Sequence, residues 1–296
     1  MAANGISTLI WKRDRQVAKL DLASTNRAAS GRPDQYDLQL LPAVYAEDDN
    51  NQANRIKNGS SVLGRPWLQT EYTESGLVTY FDPERETSGT TVFDQSSESE
   101  NGALVNGVVH DLDGAKFTLD GVNDYIRTAD LYALIGNPDT FSAGIWVQPS
   151  TSGVLMQVTN TTAPASDYHF SSLEFVESAG NPVPHFGLWN GTGITSDSGT
   201  ALSYDTWYHM VITYNGTVFK GYINGSEVAS ASVTYDSPHD DGETDHYLLI
   251  GAGTDTNMGD GGYLDANIGE IRVYSDALTP GEVANNYNST KTRYGY

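Results

Sequence analysis

Cysteine is missing altogether from this chain of 296 residues. That excludes disulfides, thiolate metal centres and cysteine nucleophiles, and it suits synthesis in a reducing compartment. No stretch approaches the roughly 20 apolar residues that cross a bilayer, so no membrane insertion is expected. Met1 is followed by small and polar residues without the apolar core of a signal peptide, which predicts a chain outside the usual secretory route. Basic residues are scarce: 16 Lys and Arg stand against 38 Asp and Glu, a formal charge of −22 that argues against nucleic acid as a partner. Helical periodicity is also thin before residue 279.

Strand signals fill that gap. The run Asp205-Thr206-Trp207-Tyr208-His209-Met210-Val211-Ile212-Thr213-Tyr214-Asn215-Gly216, continuing to Tyr222-Ile223-Asn224-Gly225, alternates with period 2 and is punctuated by Asn-Gly. Asn-Gly supplies the positive φ angles of a type I′ turn, so a three-strand antiparallel meander is expected. Further β-branched and aromatic runs recur with Gly, Asn, Asp and Pro between them, which predicts an all-β sandwich or barrel. Near the end, Thr279-Pro280-Gly281-Glu282 reads as a capping box with Pro in the first turn and places a short helix at about 280–288.

The meander words resemble the laminin-G-like modules of the concanavalin A-like lectin and glucanase superfamily. So do Leu77-Val78-Thr79-Tyr80-Phe81-Asp82, Thr91-Val92-Phe93-Asp94, Phe117-Thr118-Leu119-Asp120-Gly121, Phe141-Ser142-Ala143-Gly144-Ile145-Trp146-Val147 and Ile268-Gly269-Glu270-Ile271-Arg272-Val273-Tyr274, all in that family's order. The resemblance covers about 77–296 and implies a two-sheet antiparallel jelly-roll sandwich.

Residues 1–76 differ in kind. They are rich in Asn, Gln, Asp and Ala and hold too few large apolar side chains to close a core. Ser7 to Ser30 reads as a helix, capped by Ser7 and ended by Gly31 and Pro33, with an extended stretch after it. The first 33 residues carry six basic residues against two acidic ones, a balance of +4, so the remaining chain carries −26. An attachment arm is the expectation, with Lys12, Arg13, Arg15, Lys19 and Arg27 toward an acidic partner and Leu9, Trp11, Val17 and Leu20 buried on it. The same basic residues also suit a solvated helix face.

Gly5-Ile6-Ser7-Thr8-Leu9, Arg15-Gln16-Val17-Ala18-Lys19-Leu20, Leu41-Pro42 and Gly64-Arg65-Pro66-Trp67 resemble attachment arms of structural proteins from tailed phages. That resemblance implies a protein of the virion surface, either a capsid decoration or a fibre-like tail adhesin; a free carbohydrate-binding protein with the arm as a linker is the alternative reading, and a divergent glycoside hydrolase the third. The phage resemblance implies other virion proteins as partners and a homo-oligomer, with a trimer the common form of such displays. A chain made in a reducing cytosol and later exposed outside it fits the lack of cysteine.

Catalysis is not expected. No Glu-X-Asp-X-X-Glu run is present, and Glu174 and Glu177, three apart, would point to opposite faces of a strand and could not flank one sugar bond. The six histidines show no metal-ligand spacing. Six Asn-X-Ser/Thr sequons, beginning at Asn58, Asn160, Asn190, Asn215, Asn224 and Asn288, read as turn chemistry. Calcium is the cofactor that the family resemblance raises, with Asp120, Asp124, Asp265 and Glu270 as ligands. Where the family usually has Asp-Glu before its last long strand, this chain has Gly269-Glu270, one carboxylate fewer. Glycan binding is the other implication, for which the loops offer Trp189, Asn190, Tyr204, Asp205 and Tyr263 as aromatic platforms beside polar groups. Trp146 and Trp207 fall in alternating strand words and read as core.

Overall fold

The computed structural model describes residues 8–13, 16–21, 72–85, 87–135, 140–164, 169–188, 194–232, 245–253 and 262–296. The chain divides into two units, 1–69 and 70–296.

In the first unit, Thr8–Arg13 pairs antiparallel with Gln16–Asp21, with Leu9 opposite Leu20 and Trp11 opposite Ala18. Over 8–13 and 16–21 a ribbon therefore stands within the span, 7–30, that the sequence reads as a helix, and 22–30 lie outside the described residues. The residues explain it: Thr8, Ile10, Trp11 and Val17 are β-branched or aromatic, and they favour a pleated ribbon over a helix. Leu9, Trp11, Lys12 and Arg13 fall on one strand, and Val17, Lys19 and Leu20 on the other. Arg15, Arg27 and the stretch expected to be extended lie outside the described residues.

The second unit consists mainly of two antiparallel sheets. From one edge to the other, the first runs Ser226–Ser232, Val218–Ile223, Tyr208–Tyr214, Phe141–Pro149, Asp265–Tyr274, Lys116–Asp120 and Val109–Asp111, with Leu77–Phe81 also paired to Asp265–Tyr274. The second runs Ile194–Asp197, Asn181–Leu188, His169–Ser178, Gly153–Thr159, Tyr247–Ile250, Tyr125–Arg127, Gly102–Val105, Thr91–Val92 and Thr87–Ser88. Alternate residues of both sheets meet between them. Ala143, Ile145, Val147 and Ile212 come from the first, and Ile126, Leu173, Phe175, Phe186 and Ile250 from the second. Each large side chain so buried contributes roughly 1.5–3 kcal/mol. The fit is close: a Cβ on Gly221 would sit 2.4 Å from the Phe186 ring of the facing sheet.

The meander forms one edge of the first sheet as its alternation predicts. Asn224 and Gly225, with φ of 50° and 79°, make the expected turn with both central residues left-handed. At Asn215-Gly216 only the glycine is left-handed, and Asn215 Oδ1 instead accepts the N–H groups of Thr217 and Val218 at 3.1 and 2.8 Å. The side chain thus closes a three-residue loop that the dipeptide alone does not distinguish from a two-residue turn.

The C-terminal helix spans Pro280–Thr290, two residues beyond the expected end, and a 3₁₀ turn follows over Lys291–Tyr294. Its capping box is formed: Thr279 Oγ1 accepts the Glu282 N–H, and Glu282 Oε2 accepts the Thr279 N–H. The segment lies over the outer face of the first sheet. Trp146, fully buried there, donates its indole N–H to Thr290 Oγ1 at 2.9 Å and stacks on Tyr294 at 4.2 Å between centroids. Tyr72, assigned by sequence to the arm, packs on Tyr80, and the Thr73 N–H donates to Asn286 Oδ1 on the helix. No described helix is long and apolar enough to cross a membrane.

Candidate functional site

The two outer faces of the sandwich are unequal. The first is closed by the C-terminal segment, which seals Trp146, His209, Val211, Tyr222 and Tyr274 into a second packed layer. His209 is buried with its imidazole 5.2 Å from Trp146, and burial, followed by the positive charge of Arg272, lowers its pKa to about 3. It is a neutral core group, as its place in the strand word suggests.

The same layer explains the residues around Glu270. Arg272 lies against both the Tyr72 and Tyr80 rings, 4.4 and 4.5 Å from their centroids, and pairs with Glu270 at 2.5 Å. Arg293 reaches Glu270 at 2.6 Å, Asp82 at 2.8 Å and Glu84 at 3.2 Å. A Cβ on residue 269 would meet Tyr294 Oη at 2.4 Å, so Gly269 makes room for the tyrosine, whose oxygen accepts the Glu270 N–H at 2.9 Å. Where the resemblance implied a rim carboxylate, this chain has space for its own C-terminal aromatic.

The remaining calcium candidates sit elsewhere. Asp120 and Asp265 are directly opposite one another at the ends of paired strands. Asp120 Oδ1 accepts the Val122 N–H, and the buried Asp124 accepts the Gly107 N–H at 2.6 Å. The four residues do not converge. Among the described residues no group of three or more His, Cys, Asp or Glu is placed to hold a metal ion.

Of the glycan candidates, Trp189 and Asn190 lie outside the described residues. Tyr204 and Asp205 are on the loop entering Tyr208–Tyr214, at the rim. There Asp205 is left-handed at φ 56°, its carboxylate accepts the Ser150 hydroxyl, and its carbonyl accepts the Gln148 amide. That amide continues through Asn267 to Thr118 in a side-chain row along the first sheet. Tyr263 belongs to a different place, packed against Tyr125, Leu249 and Ala252 on the outer face of the second sheet.

This second outer face is built by period-2 alternation. In Tyr125–Arg127, Ile126 points into the core, leaving Tyr125 and Arg127 outward; in Tyr247–Ile250, Leu248 and Ile250 point in, leaving Tyr247 and Leu249 outward. Register sets Arg127 opposite Leu249. The result is an aromatic surface of Tyr125, Tyr247 and Tyr263 with a guanidinium among them. Tyr247 and Tyr263 are half-buried, and the Arg127 guanidinium carbon lies 5.6 Å from the Tyr247 ring centroid. Tyr125 is deeper, its hydroxyl donating to the Thr162 carbonyl at 3.0 Å, and burial raises its pKa against the opposing pull of Arg127. The sequence reading missed Tyr125, Arg127 and Tyr247. Alternation could have paired Tyr125 with Arg127, but only the strand register brings Tyr247 beside them.

Further along this face Glu174 is fully buried, with His185 and Val154 as its cross-strand partners, whereas Glu177 is exposed. The two carboxylates do not share an environment.

Residues 120–284, more than half of the chain, match the family model of the concanavalin A-like lectin/glucanases superfamily. No curated protein matches the sequence. Among solved structures, domain 4 of an extracellular arabinanase from Geobacillus stearothermophilus, in complex with arabinotriose, is similar at a TM-score of 0.51 and 17% identity, covering 73% of this chain and 100% of that one. The binding domain of Paraclostridial Mosquitocidal Protein 1 gives a TM-score of 0.53 and 18% identity over 73% of this chain and 52% of its own. A Trypanosoma rangeli sialidase gives 0.54 and 16% identity over 75% of this chain and 34% of its own. The chain thus spans about half of the toxin domain and a third of the sialidase, and at these identities the likeness is one of fold. With the sandwich, its register and the family match together, the chain belongs to the concanavalin A-like lectin/glucanases superfamily.

Proposed function

We propose that residues 70–296 form a non-catalytic carbohydrate-binding module that takes glycan on the outer face of its second sheet, around Tyr247, Tyr263 and Arg127. The inequality of the two faces carries this reading. One is filled by the protein's own helix and aromatic tail, while the other leaves tyrosine rings half-exposed beside hydrogen-bonding groups, the combination that sugar rings and hydroxyls require. The arabinanase domain, solved with arabinotriose, makes oligosaccharides the ligand class to screen first. Non-catalysis is supported by the separate environments of Glu174 and Glu177, because glycoside hydrolysis needs two carboxylates facing one bond.

The test is a screen of polysaccharides by affinity electrophoresis, run beside an assay of reducing-end release. Retarded migration with no new reducing ends is expected. New reducing ends would make the protein an enzyme, and no retardation by any polymer would end the glycan reading.

Display on a phage particle is the second part of the proposal. It is favoured by the charge division, +4 in residues 1–33 against −26 in the rest, which suits a basic attachment segment carrying an acidic, self-repelling globule. Partners would be other virion proteins and further copies of this chain, whose repeated display multiplies weak sugar affinity. Gold-labelled antibody on particles should decorate heads or tails, and unlabelled accessible particles would remove this part alone.

A further inference from the structure

Resting on the glycan reading above, we infer that Arg127 makes this site selective for acidic sugars, pairing with a carboxylate or sulfate ester while Tyr247 and Tyr263 carry the sugar ring. Two other arginines of this unit are matched, Arg272 by Glu270, and Arg293 by Glu270, Asp82 and Glu84. Arg127 forms no ion pair among the described residues. Its Nη1 donates to the Thr162 carbonyl at 3.3 Å, and its Nε is buried without an acceptor.

A half-buried guanidinium without a carboxylate partner is costly to maintain, and an oxyanion reaching its terminal nitrogens offsets that cost through charge-assisted hydrogen bonds. The carboxylates of neighbouring elements do not fill this role. Asp130 Oδ1 accepts the N–H groups of Tyr132 and His246, each at 2.9 Å. Burial raises the pKa of the Tyr247 phenol, with Asp245 and Asp130 adding to the rise and Arg127 opposing it.

The ring flanking the cation adds specificity. Tyr247, whose face already meets the guanidinium, can bear the apolar face of a sugar whose acid group lies in the arginine's plane. The overall charge of −22 repels dense polyanions at long range, so the occupant is an oligosaccharide presenting one acid group to the site.

The experiment is titration calorimetry of the full chain with two matched pairs of ligands. One pair is trigalacturonic acid and its methyl ester; the other is a sulfated carrageenan oligosaccharide and its neutral agarose counterpart. Preference for the acid in one pair identifies carboxylate or sulfate as the group read. Wild type should bind that acidic member at least about tenfold tighter than the neutral one. Arg127→Gln should abolish the preference, and Arg127→Lys should recover part of it. Thermal melting of both variants reports whether the sandwich is intact. Equal binding of acidic and neutral members, or a preference that survives Arg127→Gln in a folded protein, overturns the inference and leaves the glycan reading standing. Binding of neither pair, with no retardation by any polysaccharide, overturns both.

Discussion

His209 ties a single side chain to the pH dependence of the fold. Its folded pKa of about 3 lies below the ordinary imidazole value of 6.5, so between those values the unfolded chain binds a proton that the folded one does not. Stability from this residue is complete above pH 6.5 and falls as pH drops toward 3, with a slope of up to about 1.4 kcal/mol per pH unit. His209→Phe keeps the contact with Trp146 and removes the proton. Urea midpoints measured from pH 7 to pH 4 should fall less steeply in the variant than in wild type, and equal slopes would mean that the folded imidazole already carries charge. Trp146→Ala, which empties the space between His209, Tyr287 and Tyr294, should cost about 3–5 kcal/mol. A loss under 1 kcal/mol by chemical denaturation would show that the tail does not depend on the indole. Alternation alone marks both residues as buried. It does not say that they are buried under the C-terminal tail instead of between the sheets, because that depends on contacts more than 100 residues away in sequence, such as Trp146 with Thr290.

Elements were legible where local chemistry and tertiary demand agree. Thr279, Pro280 and Glu282 announce the C-terminal helix by themselves, and Thr279→Ala should cost about 1 kcal/mol, read as a lower melting temperature with the sandwich core unchanged. No shift would mean that tertiary packing alone holds the helix start. Phe141–Pro149 and Tyr208–Tyr214 were equally plain, since β-branched and aromatic alternation over several residues has no competing helical reading. Thr8–Arg13 was not, because its apolar residues satisfy either period over so short a span. Gly221 marks a further limit: the sequence shows a glycine in a strand, while the reason for it, the Phe186 ring of the opposite sheet, requires the register of both sheets. Gly221→Ala should destabilise by about 1–3 kcal/mol through overpacking, and a neutral effect would show that the ring has room to move.

For the whole molecule, the decisive feature is where half-exposed aromatic rings remain on the outer faces of the described sandwich. Family resemblance foretold the sandwich, yet the candidate glycan residues drawn from loops fell in separate places: Tyr204 and Asp205 at the rim, Tyr263 on the second sheet, Trp189 and Asn190 outside the described residues. Tyr247 and Arg127 escaped notice because neither stands in a distinctive motif; they meet through pairing of Tyr247–Ile250 with Tyr125–Arg127. Calcium candidates failed to assemble for a related reason, since Glu270 is drawn into an ion pair with Arg293 from the far end of the chain.

The account turns on the half-exposed tyrosines of the second sheet's outer face. Isothermal titration of the best-bound polysaccharide from the screen into wild type, Tyr247→Ala, Tyr263→Ala and Tyr204→Ala tests it most directly. Loss of a ring platform at either Tyr247 or Tyr263 should weaken binding by about tenfold, close to 1.4 kcal/mol, while Tyr204→Ala binds as wild type. Undiminished binding by Tyr247→Ala and Tyr263→Ala, with loss at Tyr204→Ala, would contradict the account and move the site to the rim.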